Sequence, residues 1–171
     1  MSGKILGIAI IVTALLFGAG VYYFQVFHYY ERVEDDAGQV FLTPLGGGTP
    51  EHIAYGDFEG IDAISSPIRF RGCFTTPERP QALDARFERY DGAEPRNAPF
   101  WFGCFDAEAI GALVETGEAH VYTAQRNIEY GIDRVVAVTE DGRGYIWEEI
   151  NDCGDKSYDG TPLGEDCPPR D

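Results

Sequence analysis

The segment Asp155-Lys156-Ser157-Tyr158-Asp159-Gly160-Thr161-Pro162-Leu163-Gly164-Glu165-Asp166 puts oxygen ligands at positions 1, 3, 5 and 12 of a twelve-residue loop, with glycine at position 6. That is the calcium-loop pattern of an EF-hand, where the glycine permits a sharp turn and the last acid closes the coordination shell. Here Asp166 replaces the longer bidentate glutamate, Pro162 sits at position 8, and no apolar helix enters or leaves. Solvated acids in a cystine-closed turn explain the same letters. Asp155, Ser157, Asp159 and Asp166 are therefore a weak calcium set.

Other chemistry is thinner still. His28, His52 and His120 lack a second histidine or cysteine at ligand spacing, which argues against a catalytic metal. The nucleophile motifs G-x-S-x-G and S-x-x-K do not occur. Acids near tryptophans, Asp106 after Trp101 and Glu148-Glu149 after Trp147, have the residue types of a glycosidase pair. Among 29 acidic residues such a juxtaposition carries no weight. The expectation is a protein that is not an enzyme, with no catalytic residue, no metal and no cofactor.

Cys73, Cys104, Cys153 and Cys167 admit three pairings. Their spacing contains no C-x-x-C, so thioredoxin-type redox chemistry has no motif. Proximity favours Cys153–Cys167, closing a loop of Gly, Pro and Asp. Cys73–Cys104 then joins two aromatic segments, Arg71-Gly72-Cys73-Phe74 and Trp101-Phe102-Gly103-Cys104-Phe105. Two structural disulfides are expected, each worth about 3 kcal/mol by loop closure, in an oxidising compartment. The aromatic run beside Cys104 reads as a core wedge rather than a docking patch.

Arg69 and Arg71 share a strand face with Cys73, opposite Ile68, Phe70, Gly72 and Phe74. A cystine on that face implies cover, and covered guanidinium groups need acceptors. At least one of the pair is expected to form a bidentate, partly buried salt bridge to a carboxylate distant in sequence. The alternative is that both line an anion-binding cleft.

The elements that must position these residues read as follows. Residues 39–43 form a first strand, ended by a Pro/Gly loop over 44–50, and 51–64 stay unassigned. Residues 67–74 form a strand. Residues 75–99, with four prolines, are an irregular excursion holding a helical turn over 81–87. Asp106 caps a helix over 107–116 that buries Ala109, Ile110, Leu113 and Val114 and ends at Gly117. Strands follow over 120–125, 133–140 and 144–150, the last two joined at Asp141-Gly142. Strands with one clear helix give an α+β domain around an antiparallel sheet.

Residues 5–24 are twenty consecutive uncharged, mostly apolar positions, enough to cross about 30 Å of hydrocarbon. Lys4 precedes them, and Glu31, Glu34, Asp35 and Asp36 follow. By the positive-inside rule the N-terminus is cytoplasmic and the rest is periplasmic, a single pass through a bacterial inner membrane. Gly18-Ala19-Gly20 offers the rival reading of a cleaved signal peptide. The apolar run continuing through Val21-Tyr22-Tyr23-Phe24 favours an uncleaved anchor. The organisation is anchor 1–30, charged stalk 31–38 and domain 39–171.

The formal net charge is −16, and every acid and all but one of the 13 bases lie beyond residue 30. A field of that sign repels phosphate backbones, which excludes nucleic acid as a partner.

Ser66-Pro67-Ile68-Arg69-Phe70-Arg71-Gly72-Cys73-Phe74, Trp101-Phe102-Gly103-Cys104-Phe105-Asp106-Ala107, Tyr130-Gly131-Ile132-Asp133-Arg134-Val135-Val136-Ala137-Val138, Asp141-Gly142-Arg143-Gly144-Tyr145 and Ile150-Asn151-x-Cys153-Gly154 accompany the anchor. With these motifs the chain resembles an uncharacterised family of small, membrane-anchored proteins of photosynthetic and marine alphaproteobacteria. Some members carry a histidine-kinase label, yet this chain has neither ATP-binding glycine motifs nor a phosphoacceptor-histidine segment. The resemblance implies an architecture and no known activity. The functional expectation is a membrane-tethered accessory or interaction domain with a membrane-protein partner. A ligand- or cation-sensing domain is the alternative.

Overall fold

Strand β7 (Ile132–Thr139) has no exposed residue, which sets the architecture. Val136 and Val138 lie in one apolar cluster, Val135 and Ala137 in a second, so the sheet is a middle layer covered on both faces. The computed structural model describes residues 3–35, 38–154, 156–161, 164 and 167. Its main sheet runs β1 (Glu31–Val33), β4 (Gly56–Asp62), β5 (Arg71–Thr75), β8 (Arg143–Ile150), β7, β6 (Ala119–Glu129), antiparallel throughout.

One face is covered by the hairpin of β2 (Phe41–Leu42) and β3 (Glu51–His52) and by helix α2 (Pro80–Asp84) with its following turn. These bring Leu42, Leu83 and Phe87 onto Phe74, Tyr122 and Ile146. The other face is covered by helix α3 (Ala107–Thr116) and the chain leading into it. Ala93, Phe102, Phe105 and Ile110 there pack on Cys73, Val135 and Trp147.

The α+β reading holds, with one main helix. Asp106 accepts from the N–H groups of Glu108 and Ala109, and Gly117 closes α3 at φ 76°. Ala109 is exposed, and Ala107 joins the packed face in its place. The strand expected over 67–74 begins only at Arg71, because Pro67 has no N–H for a ladder and residues 64–68 turn. Residues 31–33 of the expected stalk are the sheet's edge strand β1, paired Glu31↔Asp62. β4 arises within the unassigned stretch.

Helix α1 (Gly3–Tyr23) is apolar on all sides, and Phe24–His28 continue it as a π-helical turn. Together they are long and apolar enough to cross a membrane. The disulfides are Cys73–Cys104 and Cys153–Cys167, with no free cysteine among the described residues.

Gly144 lets the buried Phe74 ring cross the sheet, for a Cβ there would lie 2.1 Å from that ring. Gly144→Ala is expected to cost about 2–3 kcal/mol by thermal melting. Gly103→Ala, with nothing within 4 Å of the added carbon, should change little.

Candidate functional site

The proline-rich excursion is a strap rather than a loose loop. From α2 it runs along the outer edge of β6, where Tyr90 N–H donates to Val121 O and Thr123 N–H donates to Glu88 O, each at 2.9 Å. It then turns over the second face of the sheet. A segment without regular structure carries backbone groups that must find partners once dehydrated.

Arg71 supplies several of them. It is 4% exposed and donates from Nε to Arg96 O (2.8 Å) and from Nη1 to Ile68 O (2.9 Å) and Phe70 O (2.6 Å). Nη2 reaches Asn97 O at 3.5 Å. Burial pulls the guanidinium below its ordinary pKa. The expected carboxylate bridge is therefore not made by Arg71, because the strap brings carbonyls and not acids onto that face. Among the described residues Arg69 makes none either: Nη2 donates to Gln25 Oε1 at 2.9 Å, and the group lies over the Tyr30 ring. The buried ion pair is Arg134–Glu148 (2.7 Å) on the opposite face, with Arg134 stacked on Phe70 at 3.9 Å.

Glu149 is the complementary hold. Its Oε1 accepts from Trp147 Nε1 and from Glu94 N–H, both at 2.7 Å, and Arg96 approaches Oε2 at 3.5 Å. Burial nevertheless pushes its carboxyl above the usual carboxylate range, as it does for Glu148.

Beside Glu149 the face opens into a polar basin of about 1020 Å³. Behind the lining residues Arg126, Asn127 and Asn151 lies Asp133, the cross-strand partner of Glu149 and fully buried. Oδ1 accepts from Asn127 N–H (2.8 Å) and Asn151 Nδ2 (2.7 Å), and Oδ2 from Arg126 Nη1 (3.1 Å). A bulge in β6 aims the Asn127 N–H inward, at φ 47°, a left-handed conformation that asparagine tolerates. Arg126 also bridges Glu88 at 2.9 Å, and Asn151 Oδ1 accepts from Cys153 N–H at 2.9 Å. The basin thus joins the strap, the β6–β7 turn and the C-terminal cystine loop. Tyr90, on its wall, is pushed up to about 12 by burial and by the negative charges of Asp133 and Glu149.

A second hollow of about 440 Å³ lies where the anchor meets the domain, lined by Gln25, Tyr30, Arg69, Arg71 and Arg96. Trp101 Nε1 donates to Val26 O at 2.7 Å there, tying the strap to the π-helical turn.

The aromatic run divides between roles: Phe102 and Phe105 are core, and Phe100 is exposed beside Phe27. Asp106 is a helix cap, Glu148 pairs with Arg134, and Glu149 accepts from Trp147 and Glu94. In the calcium-like loop, the Asp159 carboxylate accepts from the Ser157 hydroxyl and from Thr161 N–H (3.0 Å), which holds it down at about 2. Asp155 and Asp166 lie outside the described residues. Among the described residues, no group of three His, Cys, Asp or Glu is placed to hold a metal ion. His120 meets Asp84, which also accepts from Tyr122 and Arg89 and fastens α2 to β6.

Sequence reasoning assigned no role to Asp133, Asn151, Arg126, Tyr90 or Arg96. The first two stand within motifs that carry the family resemblance, the only signal available for them.

An apolar N-terminal helix followed by a two-disulfide, two-face-covered antiparallel sheet with a polar basin defines a small α+β domain. Residues 40–168 match the family of unknown function DUF6446, and the chain belongs to it. The anchor and β1 lie outside the matched residues. No curated protein and no solved structure matches the chain.

Arg71→Lys removes the planar fork and leaves strap carbonyls unpaired, with an expected loss of about 2–3 kcal/mol by thermal melting. Arg69→Gln, at a partly exposed contact, should stay within about 1 kcal/mol of the parent. For Glu149, a raised folded-state pKa means stability that is present below the ordinary carboxylate value and lost as pH rises through the raised one. Glu149→Gln keeps an acceptor for Trp147 and Glu94 without the charge. It is expected to melt at or above the parent at neutral pH, with the gap closing as pH falls to about 4. Melting well below the parent at neutral pH would show that the charge itself is needed.

Proposed function

We propose that the chain is a non-enzymatic interaction domain tethered to the bacterial inner membrane, with its N-terminus cytoplasmic and its domain periplasmic. It serves as an accessory subunit or assembly factor of a membrane complex. The observation that carries this reading is the engagement of Glu149 and Arg126, which line the basin, and of Asp133 behind them. Asp133 holds three donors, Glu149 holds two at 2.7 Å, and Arg126 lies between two carboxylates. Groups held this way give a surface fixed shape and charge, whereas a general acid or base needs a free proton-transfer partner.

The setting has separate support. Two disulfides suit an oxidising compartment, the sole basic side chain ahead of the apolar run is Lys4, and the resemblance is to membrane-anchored alphaproteobacterial proteins. The partner is a membrane protein with a basic face, and nucleic acid is not one. Sensing of a cationic ligand is the second reading, favoured by Glu88, Asp91 and Asp152 around the basin.

A reporter enzyme active only in the periplasm, fused after Asp171, is expected to be active, and the chain should resist carbonate washing. Full-length tagged protein, purified from its own membrane in mild detergent, should bring a second membrane protein that high salt releases. Recovery of the chain alone at every detergent strength rejects the accessory-subunit reading.

A further inference from the structure

Arg69, Arg71 and Arg96 line one cleft of a domain that is otherwise strongly acidic. Arg71 and Arg96 are close enough to disfavour each other's charge. Among the described residues no carboxylate fully answers them. Arg69 spends one hydrogen bond on the neutral Gln25. Arg96 reaches Glu149 only at 3.5 Å, and its Nε is buried with no acceptor. Guanidinium donors left over in a concave, partly desolvated site are the usual means of holding a phosphate.

The depth of the cleft says which phosphate. Gln25, Val26 and Tyr30 line it, directly after an apolar run long enough to cross the hydrocarbon, so it opens at headgroup level. Phe100, 73% exposed beside Phe27, and Trp101 flank it as interfacial aromatics do. Basic pockets at such a level hold lipid headgroups.

We propose that this cleft binds the phosphate of an anionic phospholipid in the adjoining leaflet, with Arg69 and Arg96 as ligands and Arg71 as the buried charge behind them. Bound lipid would fix the acidic domain against a surface that otherwise repels it. The inference rests on the tether proposed above. Carbonate washing tests the tether and the assay below tests the lipid, so the two fail separately.

The test uses full-length protein in neutral detergent, titrated with dioleoyl phosphatidylglycerol, with dioleoyl phosphatidylcholine and with inorganic phosphate. Tryptophan fluorescence reports on Trp101, and native mass spectrometry counts retained lipid. Phosphatidylglycerol is expected to saturate, with binding about tenfold weaker in Arg69→Gln and in Arg96→Gln and partly restored in Arg96→Lys. Arg69→Gln should melt like the parent in detergent alone, so its loss of binding is not a loss of fold. Equal affinity for phosphatidylcholine, equal response to inorganic phosphate, or unchanged affinity in both glutamine variants would overturn the proposal.

Discussion

The structure depends on how a strap without regular secondary structure is dehydrated against a sheet. Backbone carbonyls and N–H groups on that face cannot be abandoned, since each unpaired buried group costs about 1–3 kcal/mol. Arg71 answers the carbonyls of Arg96 and Asn97, and Glu149 answers the N–H of Glu94. The Cys73–Cys104 disulfide then closes the same segment covalently, next to Phe102 and Phe105. Charge is used here on backbone rather than on opposite charge, which is why the buried Arg71 has carbonyls and no ion pair among the described residues.

Several consequences follow from laying the strap this way. It shields the outer edge of β6, where open N–H and C=O groups would otherwise invite strand addition. It forms one wall of the basin through Glu88 and Tyr90, so the buried Asp133 is shaped from both the sheet and the strap. It also carries Trp101 and Arg96 to the end of the anchor. Domain and N-terminal helix therefore meet through defined hydrogen bonds, and β1, directly after the π-helical turn, adds sheet pairing to that junction. A domain held so closely to its N-terminal helix presents a fixed orientation relative to it.

Much was determined by the sequence alone, because the relevant signals are local. An uncharged run of twenty residues has one structural outcome in lipid. Asp106 and Gly117 bound a ten-residue helix through capping geometry that needs no tertiary partner. The Asp141-Gly142 turn aligned β7 with β8, and cysteine proximity matched both disulfides. What only the tertiary structure decided was the meaning of residues 75–105 and of the charges beneath them. Proline density reports a lack of regular structure, but not which face the chain crosses. Arg71 looked like half of a salt bridge because side-chain types reveal charge, whereas the acceptors were carbonyls, present at every residue and invisible to composition. Asp133, Asn127, Asn151 and Arg126 came together through a bulge, a turn and a cystine loop, since hydrogen bonding across strands depends on register and not on distance along the chain.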